Sequence, residues 1–368
     1  MNVVVTNDAF DIAGGENYTL YVAQGLRNAG HNAIISPMEG SLLAEESIKQ
    51  GFETIPVPYA KDSKIFNAVR VMSQSLKDKK IDIIHSNSNL DRTITAFTAK
   101  KIKCKNVTTV HSCHSLRYNL LHWYRNKYLI NHFITDGHSS KKILTENDKI
   151  PDDKVTVIHI GISSDIAVFS EEKRNSTRES FYIKKDEVVA GIVARLVNFK
   201  GINILIDSLK ILIENKNLSN VKLLIVGDGI LRNDLEEQTK NLGLTDKVIF
   251  TGHRTDLDSL LSSMDIYVQP SLLLHAELFP ISGLLAKSVG LPMIVSDSGD
   301  LKYMVNENSD GFVVTPGDAN ELADKLSIIV RDKDLRKKMG EKSLENYKQQ
   351  FTLEKMISDI LAVYEKLM

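Results

Sequence analysis

Only two cysteines, Cys104 and Cys113, occur among the 368 residues. That excludes a disulfide framework. One bridge is the most the chain can form, and so thiol-poor a sequence reads as a reduced, cytoplasmic protein. An excess of charge of one sign is also lacking: 46 Lys and Arg stand against 47 Asp and Glu, for a formal charge of −1. This excludes nucleic acid as a bulk electrostatic partner. No uninterrupted apolar run approaches the roughly 20 residues that a membrane-spanning helix needs. The start, "MNVVVTNDAF", has neither a basic flank nor a long apolar stretch, so no signal peptide is expected there. Prolines number 8, and neither a repeat nor a low-complexity tract interrupts the chain. With 42% hydrophobic and 25% charged residues, the composition is that of a soluble globular chain, long enough for two domains.

What is present is alternation. Short β-rich runs, "NVVVTN", "NAIIS", "IDIIHS", "NVTTVHS", "HFITDG" and "KVTVIHIG", punctuate the first half. "VVAGIVARL", "VKLLIVGDG", "KVIFTG", "DIYVQPS", "LPMIVSD" and "DGFVVTPGD" punctuate the second. Nearly continuous Val, Ile and Leu strands with helical patterns between them predict parallel sheets covered on both faces. The number of strands predicts two such sheets, each a doubly wound α/β domain. The hinge is expected after "VIHIGISSD", where the polar stretch "SEEKRNSTRESF" breaks the pattern, giving domains over 1–164 and 165–349. The final "FTLEKMISDILAVYEKLM" reads as an amphipathic helix with Met356, Ile360, Val363 and Leu367 on one face.

Several strand ends carry groups with chemistry. In "NDAFDIAGGENYTLYVAQGLRNAGH" a helix is expected to begin at about Glu16. Gly14 and Gly15 would let a ligand approach the backbone there, with the helix N-terminus offering N–H groups to an anion. A tight turn without a ligand is the competing reading, and the missing third glycine rules out the dinucleotide fingerprint. "TTVHSCHSL" sets His111 at a strand's C-terminal edge, where parallel sheets bind ligands. Cys113 and His114 lie too close together, without a second pair, for a zinc site, and no metal is expected. In "VARLVNFKG" Arg195 and Lys200 precede a helix, which suits a diphosphate as well as it suits two solvated cations. "LLIVGDGILRNDL" puts Gly227 and Gly229 at another strand end. "RYNLLHWYRNKYLINHF" is basic and aromatic. It reads first as a helix packing Leu121, Tyr124 and Tyr128 inward, and second as a contact with an anionic membrane or an acceptor. Last, "HAELFPISGLLAKSVGLP" isolates one carboxylate, Glu277, before an apolar run.

Taken in order, these segments resemble glycosyltransferase family 4, retaining enzymes of the GT-B fold. The resemblance covers nearly the whole chain. It rests on Gly14–Gly15 with a following "GH", on "ARLVNFKG", on "VGDG" with "FTG", and on "PSLLLHAELFPISGLLA". It implies two Rossmann-like domains facing a central cleft, the helix 350–368 packing back on the first. The implied reaction moves a hexose-type sugar from a UDP or GDP sugar to a carbohydrate or lipid-linked acceptor in polysaccharide or glycolipid synthesis, with no cofactor. The protein would be cytoplasmic, with a peripheral contact on the inner face of the membrane.

By the same resemblance Glu277 faces the transferred sugar and His111 lies near the reaction centre. Arg195 and Lys200 hold the diphosphate, alongside Gly227. The backbone of Arg254 meets the base, and Phe279, Pro280, Ile281 and Ser282 bring a helix start to the phosphates. Asp11, Gly14 and Gly15 form a phosphate and acceptor loop. The chain departs from the family where the second acid of E-x7-E, the ribose contact, is Leu285. That leaves a non-catalytic partner subunit as one alternative, and a GT-B phosphorylase or epimerase as another.

Overall fold

The structure is a computed structural model that describes residues 1–10, 14–59, 64–116, 119–273 and 277–368. Among these residues the chain divides into two compact units. Met1–Ile160 and Leu353–Met368 form the first, and Gly161–Thr352 the second. Each is a parallel sheet wrapped by helices, as the continuous apolar strands require.

In the first unit the strands are β1 (Asn2–Asn7), β2 (Asn32–Pro37), β3 (Glu53–Thr54), β4 (Ile83–Ser86), β5 (Lys105–Val110), β6 (His132–Thr135) and β7 (Val155–Val157). They lie in the order β3-β2-β1-β4-β5-β6-β7. The order reverses direction beside β1, and ligands of doubly wound sheets bind at such a switch point. Val4, Ile34 and Ile84 pack with Met72 and Ile94 on one part of the sheet, while Val110, Phe133 and Val155 pack with Leu144 on another.

The C-terminal helix Leu353–Leu367 belongs to this unit. Its apolar stripe of Met356, Ile360 and Val363 is buried, as the periodicity predicts. It lies so close to helix Gly14–Asn28 that a Cβ on Gly25 would sit 2.2 Å from Ile357 Cγ1. Tyr364 on the same helix has its hydroxyl 2.6 Å from His85 Nδ1 in β4.

The second unit holds β8 (Val188–Val193), β9 (Val221–Val226), β10 (Val248–Gly252), β11 (Ile266–Gln269), β12 (Met293–Ser296) and β13 (Gly311–Val314). Their order is β10-β9-β8-β11-β12-β13, so β8 and β11 are central. One continuous apolar cluster, from Ile192 and Leu205 to Val268, Phe312 and Ile329, fills it. The edges of the unit are tied together where Ile162 N donates to Phe351 O at 3.0 Å.

Candidate functional site

In the second unit, four loops leave the C-terminal ends of β8, β9, β11 and β12, the edge where parallel sheets carry their ligands. The loop after β8 ends in a single helical turn, Asn198–Lys200, capped by Gly201 at φ 65°. A Cβ at Gly201 would fall 2.0 Å from Pro270 O, so only glycine lets this turn lie against the end of β11. Lys200 is thereby aimed at the β11 loop, and its Nζ donates to Glu277 Oε1 at 2.5 Å. Both side chains are only 12% exposed. Glu277 is therefore not a solvated loop residue. Its Oε2 accepts from Ser271 Oγ at 2.6 Å and from Gln269 Nε2 at 3.3 Å. Its backbone carbonyl accepts from Asp300 N at 2.7 Å, which ties the β11 loop to the β12 loop.

Beyond Glu277, Phe279 is buried with its ring 5.7 Å from that of Phe351. Pro280 then caps helix Ile281–Ser288 with its carbonyl, which accepts from Gly283 N and Leu284 N. The N–H groups of Ile281 and Ser282 have no partner among the described residues, so the helix start offers two donors. Ser282 Oγ lies 2.9 Å from the buried hydroxyl of Tyr267. Burial first, with a smaller contribution from Glu277, holds that phenol well above its ordinary pKa, so it stays neutral. Arg195, on the loop after β8, is exposed and its guanidinium has no hydrogen-bond or ion-pair partner among the described residues. Gly227, at φ 131°, closes β9 where a Cβ would fall 2.0 Å from Ala194 O. Arg254 is exposed and grips Asp256 with two hydrogen bonds, of 2.8 and 2.7 Å. That contact holds the Asp256 carboxyl below its ordinary range. Leu285 is 3% exposed, buried in the helix that follows Pro280.

The first unit brings together a second group. His111 follows β5, and its Nδ1 lies 2.6 Å from Asp136 Oδ2. Sequence reasoning missed Asp136. The register pairs Val110 with Thr135, so the next residue of each strand, His111 and Asp136, is set side by side. The signal was two adjacent parallel strands each ending in a polar residue, "VHS" and "TDG". Tyr18 packs edge-on against the imidazole at 4.6 Å. His111 Nε2 and Asp136 Oδ1 are both buried without a partner among the described residues. Gly14 and Gly15 open helix Gly14–Asn28, two residues before the expected start, while Asp11 lies outside the described residues.

The basic aromatic stretch corrects the inward packing expected for it. Leu121, Tyr124 and Tyr128 are exposed, and Leu120 is 79% so. Arg125 is buried instead, along with Asn126 and Leu129, and its guanidinium donates to Thr93 Oγ1 at 2.7 Å, Asn126 Oδ1 at 2.8 Å and Leu116 O at 3.3 Å. A guanidinium with that many acceptors tolerates burial, and it turns the apolar side chains outward. Cys104 and Cys113 do not form a disulfide with each other.

Two parallel-sheet Rossmann-like units, with the ligand edge of the second lined by a Lys–Glu pair and a helix start, define a GT-B architecture. The model of Glycosyltransferase Family 4 matches residues 12–166, and that of Glycosyl transferases group 1 matches residues 173–346. Between them they take in both units, and the chain is a glycosyltransferase of the family 4, GT-B type. It is 26% identical over 366 residues to an uncharacterized glycosyltransferase of Methanocaldococcus jannaschii, covering 94% of this chain and 92% of that one. It is also 26% identical to the UDP-Gal:alpha-D-GlcNAc-diphosphoundecaprenol alpha-1,3-galactosyltransferase of Escherichia coli, over 71% of this chain and 69% of the relative. The fold is that of Anabaena HepE, solved in complex with UDP, with a TM-score of 0.86 at 18% identity over 100% of both chains. Among the described residues no helix is long and apolar enough to cross a membrane.

Proposed function

We propose that this glycosyltransferase moves a hexose from a nucleoside diphosphate sugar, UDP first among them, to a carbohydrate or lipid-linked acceptor, with retention at the anomeric carbon and without a metal ion. The observation that carries this reading is the Lys200–Glu277 pair at the C-terminal edge of the second sheet, 2.5 Å apart and nearly buried. An ammonium has three protons. One serves Glu277, and the others are available to phosphate oxygens. Arg195 and the N–H groups of Ile281 and Ser282, which have no partner among the described residues, add donors of the same sign. Together they stabilise the negative charge that a departing diphosphate acquires, a task that other folds give to a cation.

Glu277 then accepts hydrogen bonds from the sugar. Both its oxygens are already engaged by Lys200, Ser271 and Gln269, which suits an acceptor of hydroxyl protons better than a nucleophile. A front-face departure with an oxocarbenium-like centre fits that arrangement. Gly227 supplies close backbone approach and the Arg254 backbone contacts the base. Leu285 leaves the ribose without the family's carboxylate. His111, held by Asp136, is the group we assign to the acceptor.

The Escherichia coli relative's name, with UDP-Gal and a diphosphoundecaprenol-linked sugar, and the UDP complex of HepE support the choice of donor and acceptor classes. A lipid-linked acceptor also gives the outward face of Leu120, Leu121, Tyr124 and Tyr128 a use as a peripheral contact with an anionic leaflet. Lys127 lies over the Trp123 ring at 5.2 Å and carries the matching charge. Sedimentation with anionic vesicles tests that contact, and equal recovery with zwitterionic vesicles removes it.

Calorimetry with UDP, GDP and ADP in the presence of a chelator tests the main reading. Binding of at least one nucleotide without metal is expected. Binding that returns only with Mg²⁺ or Mn²⁺ overturns metal independence. No binding to any of the three favours a non-catalytic subunit, the reading to which Leu285 lends weight.

A further inference from the structure

Central strands of parallel sheets are apolar on both faces, and β11 is not. Successive side chains alternate faces. Ile266 and Val268 enter the apolar core, while Tyr267, Gln269 and, just past the strand, Ser271 form a polar stripe on the other face. All three are fully buried. Each is hydrogen-bonded to the next. Tyr267 Oη is 3.0 Å from Gln269 Oε1, Gln269 Nε2 is 3.0 Å from Ser271 Oγ, and Ser271 Oγ is 2.6 Å from Glu277 Oε2. Gln269 Nε2 also reaches Glu277 Oε2 directly at 3.3 Å, and Tyr267 Oη reaches Ser282 Oγ at 2.9 Å.

The stripe therefore spans the loop between its two functional ends, the Glu277 carboxylate and the start of helix Ile281–Ser288. A carboxylate only accepts. Ser271 must then give its proton to Glu277, both amide protons of Gln269 are committed to Ser271 and Glu277, and the amide oxygen must face Tyr267. Every link up to Tyr267 has one orientation. The single tyrosine proton has three acceptors in reach, Gln269 Oε1, Ser282 Oγ and, at 3.5 Å, the Val193 carbonyl, and serves one at a time.

We propose that Gln269 and Tyr267 are positioning residues of the transfer site. Gln269 fixes the rotamer of Glu277 toward the sugar, and Tyr267 fixes Ser282 toward the phosphates. This rests on the reading of Glu277 as the sugar-facing acid and deepens it. A loose Glu277 leaves the donor bound and slows its reaction, whereas a loose Ser282 weakens donor binding.

The test uses the full chain and the donor giving the fastest nucleotide release among UDP-glucose, UDP-galactose, UDP-N-acetylglucosamine and GDP-mannose. Gln269→Leu should lower kcat about tenfold or more, with donor KM within about threefold, because hydrogen bonds to a charged group are lost. Tyr267→Phe should raise donor KM about twofold to tenfold and change kcat less, as for one neutral hydrogen bond. Gln269→Glu places a second carboxylate beside Glu277. It should be slow at neutral pH and regain rate relative to the parent as pH falls, because a protonated glutamate restores a donor. A role confined to folding predicts no such recovery, and it predicts losses that follow thermal stability. Should Gln269→Leu fail to fold, Gln269→Glu and Tyr267→Phe carry the test.

Glu277→Gln, run in parallel, separates the two levels of the account. If it is impaired while the folded Gln269 and Tyr267 variants keep parental kcat, KM and pH profile, the site stands and the positioning role is wrong. If Glu277→Gln turns over normally, or none of the four donors releases nucleotide, the site reading falls and this inference falls with it.

Discussion

The two units share an architecture and bury their polar groups differently. In the first, ionisable side chains sit inside the sheet and under its edge. His85 bridges Tyr364 and Thr109, Asp91 accepts from Asn87 N in the turn before its helix while its own N–H donates to Asp8, and Arg125 is enclosed by neutral acceptors. In the second, the sheet is filled by one apolar cluster, and buried or nearly buried charges stand largely in opposite-sign pairs, Lys200–Glu277, Arg178–Asp265 and Lys287–Asp310 among them. Among the described histidines only His253 belongs to the second unit. An interior of titratable groups without counter-ions makes stability depend on pH. An interior of closed pairs makes it depend on keeping both partners.

The largest effect that sharpens this contrast is in the second unit. Lys287 and Asp310 are wholly buried, 3.1 Å apart, with Asn346 donating to the same Asp310 oxygen. Burial pushes the Lys287 ammonium below its ordinary pKa, and Asp310 opposes that. Asp310→Ala should cost about 3–5 kcal/mol, while Lys287→Met with Asp310→Leu should recover most of it. Denaturant unfolding of the three proteins checks the order.

The next effect belongs to the first unit and comes with acid. Burial, then the nearby His111, pushes His85 down to about 3, and burial lowers His132 to about 4. Both fall below the unfolded value of about 6.5. Their contribution is therefore present above that pH and lost as pH falls, for His85 at up to about 1.4 kcal/mol per pH unit. Asp91 has the opposite sign. Burial, then Asp8, raises it to about 6, so its contribution is present below about 4 and lost as pH rises. Hydrogen exchange should show the amides of β4 and β5 losing protection below about pH 6 while those of β9 and β12 hold. Asp91→Asn should steepen the loss between pH 6 and 4. Equal acid sensitivity in both units would break the comparison.

Smaller still is Gly25→Ala, whose methyl meets Ile357. A loss of about 1–3 kcal/mol is expected, most of it restored by adding Ile357→Ala. At the bottom of the scale, Arg254→Ala removes only an exposed pair with Asp256. It should leave the melting temperature and turnover near the parent's, since the proposed contact with the base uses backbone.

The parallel strands were legible because they are continuous Val, Ile and Leu runs, and Lys200 was legible as a cation before a helix, but not the Gly201 turn that aims it, which depends on the distant Pro270 carbonyl. Asp136 was not read, because its pairing with His111 depends on strand register, which no single strand encodes. The stripe on β11 is visible in "YVQPS" as a period of two, but only a known core face tells whether it points inward. The segment from Leu120 to Tyr128 misled for a related reason. Leu121, Tyr124 and Tyr128 do share a helical face, yet the periodicity cannot say that Thr93 and Leu116, remote in sequence, supply acceptors that draw Arg125 inside instead. The lone carboxylate at Glu277 was ambiguous until its partners from two other loops were in place.

That carboxylate is where the account is most exposed. Turnover of folded Glu277→Gln at saturating nucleotide sugar measures it directly. If Glu277 faces the transferred sugar, the rate falls about tenfold to a hundredfold in a variant still folded at the assay temperature, even though losing the charge paired with nearly buried Lys200 lowers its melting temperature. Near-parental turnover by the folded variant would contradict the account.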